Sequence, residues 1–384
     1  MDRRTFCRLS LAAPLALEAL AAEALAEPPL PRLPVFEISG GYREIGAAIG
    51  RHFRDRIRAV LERRRAWLQN LLDTLSSPRG RRLSDELRRA TRTHFPHLVE
   101  ELEGMAEGAG LHRRAIWAIA IKSELEAVAE DTPGCSTLFL QNKRGAWLAH
   151  NEDGHVAYLG EMGVVRVAPP SGVRFVAMVY PGTLTGNGPC LNDRGVVQTT
   201  NYIGTTRPRP GVPRYVISRA ILEASSLDEA RQIATVTPRA HPWHHNLAGF
   251  TDGQYLSLET VPGKAHERRA GGLYIHTNHL LHPETSDYPD ENEEYKAGSS
   301  MSRYRVLTEL ARKRSAEDLG PDDLLAMLSS HRSAPYSPCR HPAGEVEGQT
   351  LGTALYDLRL GSFLLYSGNP CRAVPQGRPL ELRL

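Results

Sequence analysis

The amino-acid sequence predicts an α+β fold, with helices layered outside two packed sheets. Three observations carry this. Apolar residues recur at helical spacing up to about residue 130. Beyond Asp131-Thr132-Pro133-Gly134 the pattern changes to short strand-like runs divided by turn residues. Two pairs of helical segments then interrupt the strands, and that alternation suits sheets covered by helices. The 384 residues, 41% hydrophobic and 24% charged, suffice for one large core or two domains. The net charge of +3 is too small a surplus to imply nucleic acid or an acidic partner.

The elements follow in order. After a Pro-rich leader at residues 28–34, the chain reads as helical up to about Glu130. Ile45, Ile49, Phe53 and Ile57 recur every four residues, and Leu61, Leu68, Leu72 and Leu75 continue the stripe, with arginines outside it. Further helices are expected over about 96–108 and 113–129, parted by Gly108-Ala109-Gly110. Residues 136–141 and 146–150 flank the turn Asn142-Lys143-Arg144-Gly145 and predict a hairpin. Strands at 164–167, 173–180 and 196–203 come next. Two helices follow, the second opened by Ser226 and Glu229 in capping-box spacing. Residues 247–250 and 254–261 flank Asp252-Gly253, a hairpin signal. A strand at 273–277, helices near 302–312 and 321–330, and a last hairpin of 353–359 with 362–367 complete the chain.

The first residues are expected to lie outside the fold. Arg3 and Arg4, an Ala/Leu-rich stretch and Ala24-Leu25-Ala26 read as a signal peptide over 1–26, of the twin-arginine type. The expectation is an exported protein, periplasmic or secreted; an amphipathic helix on a cytosolic protein is the alternative. Glu18 interrupts the apolar run, and no stretch approaches the roughly 20 apolar residues of a membrane span. Of five cysteines, Cys7 leaves with the signal. Cys135, Cys190, Cys339 and Cys371 remain at irregular spacing without a C-x-x-C pair, so neither a zinc ribbon nor a redox motif is indicated. An exported protein can pair two of them as a disulfide, and the sequence does not say which. G-x-S-x-G, H-E-x-x-H, Walker and G-x-G-x-x-G motifs are absent, which argues against common serine hydrolases, zincins and nucleotide enzymes.

Cys135 sits where the helical part meets the strands, after the unhindered Pro133-Gly134 and before Ser136-Thr137-Leu138-Phe139-Leu140. An N-terminal nucleophile needs such a place. The thiol can attack the Gly134 carbonyl, and water can then release the upstream segment. The freed α-amino group, with a pKa of roughly 7.7–8.0, can serve as base for its own thiol. A structural cysteine packed in a strand has the same local sequence.

The surroundings add to this. Pro133-Gly134-Cys135-Ser136-Thr137 with Asn151-Glu152-Asp153 resembles the isopenicillin N acyltransferase family. These are autoproteolytic N-terminal-nucleophile enzymes related to penicillin V acylases and bile salt hydrolases. Residues 101–110, Leu191-Asn192-Asp193-Arg194-Gly195-Val196, His276-Thr277-Asn278-His279 and Pro338-Cys339-Arg340-His341-Pro342 extend the resemblance along most of the chain.

The resemblance implies a four-layer αββα sandwich and roles for five residues. Cys135 is the nucleophile and new N-terminus, with self-cleavage between Gly134 and Cys135. Asp153, 18 residues on, orients the new ammonium group. Asn201 donates into an oxyanion hole, and Asn278 is a second polar contact near the nucleophile. Arg340 lies near the catalytic centre, where a cation can hold Asp153 or favour thiolate. The family's Asn-Trp-Asp type of segment reads Asn151-Glu152-Asp153 here, and a shared scaffold does not establish a shared substrate.

The expected organisation is a signal over 1–26, a helical pro-segment over 27–134 and a strand-rich catalytic chain over 135–384. The two chains stay associated as one domain, because apolar stripes need a cover. The expected reaction is hydrolysis or transfer at a small-molecule acyl amide or thioester through a Cys135 acyl-enzyme. No cofactor and no metal are implied, and acyl-coenzyme A is admitted as a donor substrate. His276, His279 and His282, and His241, His244 and His245, cluster in sequence, but their segment reads as strand and loop, where three-residue spacing does not align ligands. The rival readings are a single-chain cysteine amidase or thioesterase without self-processing, and an inactive exported binding protein on the same scaffold.

Overall fold

Residues 30–125, 134–250 and 253–383 are described in a computed structural model of the chain. The expected signal peptide, the end of the third expected helix (126–129), the turn residues 131–133 and Asp252 lie outside the described residues. Arg32–Leu384 forms one compact unit.

The described chain opens with a strand, β1 (Val35–Ser39), where the sequence reading expected helix. Its alternating Val35, Phe36, Glu37, Ile38 and Ser39 pair in parallel with β4 (Gly163–Ala168) at a sheet edge. The long apolar stripe is not one helix. It is broken at Phe53 and Arg64 into α1 (Tyr42–His52), α2 (Arg54–Arg63) and α3 (Arg65–Ser76), while Ile45, Ile49, Phe53 and Ile57 are all buried as the stripe requires. α4 (Pro78–His94), α5 (Pro96–Ala109), α6 (Arg113–Ala120) and the one-turn α7 (Lys122–Leu125) follow.

The 101–110 segment serves packing. A Cβ on Gly104 or Gly108 would run into the backbone of α1, and one on Gly46 or Gly50 would run into the backbone of α5. The two helices therefore cross with backbones touching, which only glycine permits. Beside the crossing, Glu101 of α5 pairs with Arg219 at 2.8 Å, both fully buried, and joins α5 to α8 (Arg214–Ile221).

Two sheets carry the rest. The eight-stranded sheet has the order β1-β4-β5-β6-β7-β8-β9-β10, with β5 (Phe175–Val179), β6 (Cys190–Asn192), β7 (Val196–Tyr202), β8 (Trp243–Gly249), β9 (Tyr255–Val261) and β10 (Lys264–Arg269). The six-stranded sheet has the order β11-β2-β3-β12-β13-β14. It comprises β2 (Ser136–Asn142), β3 (Gly145–His155), β11 (Gly272–His276), β12 (Gly348–Asp357), β13 (Ser362–Ser367) and β14 (Leu380–Leu382). The expected hairpin is β2–β3, with Lys143-Arg144 as its turn. Ser226 caps α9 (Leu227–Ala234) by accepting the Glu229 amide at 3.1 Å.

One apolar cluster joins Ile45, Phe53, Leu102 and Ile217 of the helices to Val165, Phe175 and Leu258 of the eight-stranded sheet. A second joins Val176, Met178 and Val197 of that sheet to Phe139, Leu148 and Tyr356 of the other. α10 (Met301–Ala311) and α11 (Pro321–Leu328) meet the six-stranded sheet, where Asn151 donates to the Leu328 and Pro338 carbonyls at 3.0 and 2.9 Å. Among the described residues no helix is long and apolar enough to cross a membrane.

Candidate active site

The β2–β3 ladder pairs Ser136 with Asn151. Continued by one residue, it sets Cys135 opposite Glu152 and brings Asp153 alongside. The Asp153 backbone lies close enough to the Cys135 thiol to favour its ionised form slightly, against the larger opposing effects. Cys135 is buried, yet it lines a cavity of about 80 Å³. Burial, and then the charges of Glu152 and Asp153, push its thiol well above the usual range. The sulfur is therefore held as thiol.

Asp153 lies beside that thiol. It is buried; its Oδ1 accepts the Thr350 hydroxyl at 2.7 Å, while its Oδ2 has no hydrogen-bond partner. Burial raises its carboxyl from the ordinary 3.8 to about 7, against the opposing pull of Arg303, Arg340 and the Thr350 hydroxyl. Arg340 is buried nearby. Its amide donates to Thr350 Oγ1 at 2.9 Å and its Nη1 to Ser299 Oγ at 3.3 Å. It acts on Asp153 through charge, not through a direct hydrogen bond.

Asn201, on β7, donates its amide to the Cys135 carbonyl at 3.2 Å. Its Oδ1 accepts from the Thr137 hydroxyl at 3.0 Å and the Asn246 amide at 2.8 Å, so its plane is fixed. Asn278 donates to the Tyr202 carbonyl at 2.9 Å and accepts from Arg303 at 2.7 Å. Both asparagines thus reach residues 134–135, with their NH₂ groups on the Cys135 and Tyr202 backbone carbonyls. A Cβ on Gly134 would run into Asn278 Oδ1 and Arg303 Nη2, so any larger residue here must displace those two side chains.

Arg303 went unnoticed in the sequence. It enters from α10, fully buried, and donates to the Cys135 carbonyl at 2.6 Å and to Ser136 Oγ at 3.0 Å. Nothing in its local sequence sets it apart from the chain's many other arginines. Glu152 was also missed: its Oε1 accepts the Tyr180 hydroxyl at 2.6 Å, and its Oε2 lies 3.2 Å from His150 Nε2. The clustered histidines are bound up in buried hydrogen bonds, such as His276 to Glu259 at 3.0 Å and His244 to Ser257 at 2.8 Å. Two other groups could offer metal ligands among the described residues: Cys135, His150 and Glu152 at the site, and His331, Cys339, His341 and Cys371 away from it.

The cavity walls are aromatic and basic. Trp67, Tyr158, Tyr202, Tyr215 and Trp243 line it with Arg64, Lys122 and Arg214. Arg214 lies 3.9 Å over the Trp243 ring and donates to Ser123 Oγ at 2.7 Å. Arg64, Trp67 and His155 are shared with a neighbouring cleft of about 800 Å³.

Residues 140–372 match the family described as Acyl-coenzyme A:6-aminopenicillanic acid acyl-transferase. The chain belongs to this acyltransferase family. The match begins on β2, just after Cys135, and runs past Arg340. A β-alanyl-dopamine/carcinine hydrolase of Drosophila melanogaster is 26% identical over 393 residues, covering 91% of this chain and 97% of the relative. An N-acylethanolamine-hydrolyzing acid amidase ortholog of Caenorhabditis elegans is a structural neighbour at TM-score 0.40 and 10% identity, over 58% of this chain and 92% of the other.

Proposed function

We propose that this protein is an exported, self-cleaving amidohydrolase of the N-terminal-nucleophile class, with the αββα sandwich of that class and Cys135 as its nucleophile. The observation that carries the reading is Asp153: a buried carboxyl beside the thiol, with a pKa near 7 and one oxygen left without a partner. A buried polar atom is costly unless something comes to it. An α-ammonium group freed at Cys135 is such a partner.

In the self-cleavage, Cys135 Sγ bonds to the Gly134 carbonyl carbon and the bond to the Cys135 nitrogen breaks. The thiol proton, taken up by Asp153, passes to that nitrogen. Water then splits the thioester, leaving Gly134 a carboxylate and restoring the thiol. Departure of residue 134 uncovers Arg303 Nη2 and Asn278, against which Gly134 is packed. In turnover the freed amine serves as base, and the substrate carbonyl carbon takes the place of Gly134's. Asn201 and Arg303 fix the Cys135 carbonyl and so position the nucleophile.

The substrate is an amide with a small acyl group. The cavity of about 80 Å³ suits that group, and the adjoining cleft of about 800 Å³ suits an amine portion. The Drosophila relative is named for β-alanyl-dopamine, which joins a small acyl group to an aromatic amine. Hydrolysis is favoured over transfer, since coenzyme A thioesters are not expected outside the cytoplasm. Acid-quenching the enzyme during turnover of β-alanyl and other short-chain amides tests this. An acyl adduct on Cys135 is expected; turnover that persists in Cys135→Ala would remove Cys135 from the mechanism.

A further inference from the structure

We propose that His331, Cys339, His341 and Cys371 form a binding site for one zinc-class divalent cation, separate from the catalytic residues. One ligand atom from each lies within 4.8 Å of the other three. The residues come from three separate segments: the turn after α11, the loop leading to β12, and α12 (Pro370–Ala373).

The spacing is that of a coordination shell. His341 Nε2 lies 3.6 Å from Cys339 Sγ, 3.5 Å from Cys371 Sγ and 3.2 Å from His331 Nε2. A tetrahedron with zinc–sulfur bonds of about 2.3 Å and zinc–nitrogen bonds of about 2.0–2.1 Å has sulfur–nitrogen edges of about 3.6 Å and nitrogen–nitrogen edges of about 3.4 Å. Hydrogen bonding alone does not account for the cluster. A ring nitrogen has either one proton or one lone pair, and it cannot satisfy three neighbours at once. A cation at the centre satisfies all four. Two thiolates and two imidazoles in tetrahedral array select zinc among common divalent ions.

An outer shell is present as well. Asn369 donates to Cys339 Sγ at 3.4 Å and to the Arg340 carbonyl at 2.6 Å. Arg340 sits between two of the ligands, and its amide is tied to Thr350, which holds Asp153. The metal would pin these chain segments behind the site without touching the reacting atoms. On binding, both thiols lose their protons to solvent, so uptake weakens in acid.

Titration of the reduced full-length protein with Co²⁺ tests this without reference to activity. One equivalent per chain is expected, with the thiolate charge-transfer and intense ligand-field bands of tetrahedral cobalt, bleached by Zn²⁺. Cys371→Ser at a half-buried position and His331→Ala at an exposed one should each weaken binding by more than the roughly 100-fold that loss of an outer-shell partner costs. Three results would each overturn the proposal: no such spectrum in the reduced wild-type chain, unchanged uptake in both variants, or a Cys339–Cys371 disulfide in the protein as isolated.

Discussion

Replacing Asp153 by Asn in a chain that also carries Cys135→Ala isolates the electrostatic cost built into the uncut precursor. On the proposed mechanism a Cys135→Ala chain does not cleave itself, so the carboxyl keeps its unpartnered oxygen. Raising a buried carboxyl from 3.8 to about 7 corresponds to about 4 kcal/mol. The sign follows from proton binding. Between these values the folded chain holds a proton that the unfolded chain has lost, so stability is full below pH 3.8 and falls as pH rises through 7. Roughly 2.5 kcal/mol of the loss falls between pH 5 and pH 8. Asn has no proton to lose, so Asp153→Asn removes this slope while retaining a neutral group beside Thr350. Urea unfolding of both chains at a series of pH values gives the difference directly, because other titrating groups cancel. A gap that widens with pH by about that amount is expected. Parallel profiles would mean that Asp153 is ionised at its usual pH, and the argument for its unpartnered oxygen would collapse.

Other outcomes follow from the same geometry. Gly134→Ala must push apart Asn278 and Arg303, which are bonded at 2.7 Å; a cost of about 1–3 kcal/mol should let uncut precursor accumulate in a pulse-chase, and wild-type processing would contradict the close packing. Arg303→Met strips the Cys135 carbonyl, Ser136 and Asn278 of a shared donor, so processing should slow markedly by gel assay, with Arg303→Lys recovering only part because an ammonium lacks the planar fork. Arg219→Met leaves Glu101 buried without its partner and should destabilise by about 3–5 kcal/mol in denaturant titration. The double change with Glu101→Gln should restore much of that, and failure to do so would place the loss in packing instead of charge.

Much of the frame was legible because it depends on local pattern. The β2–β3 hairpin followed from two alternating runs around a turn, and its register is what carries Asp153 back to Cys135. The helical stripe was legible as an apolar face, but its breaks at Phe53 and Arg64 were not, since no glycine or proline marks them. β1 and β10 were missed for different reasons. β1 is a five-residue edge strand after a Pro-rich run, and β10 reads Lys-Ala-His-Glu-Arg-Arg, polar throughout because it is exposed at the other edge. Within the site, Asn201 and Asn278 lie close to residues 134–135, though no pattern foretold that their amides would be committed to backbone carbonyls. Arg303 reaches Cys135 across 168 residues from a helix with an ordinary sequence. The His331, Cys339, His341 and Cys371 cluster hides likewise, because its ligands come from three segments and make no short motif.

The most direct test is the covalent state of the peptide bond between residues 134 and 135 in the active enzyme. Denaturing mass spectrometry of freshly purified, catalytically competent protein should resolve two polypeptides, the larger one starting at Cys135 with a free amine. A fully active preparation in which that bond is unbroken would contradict the account.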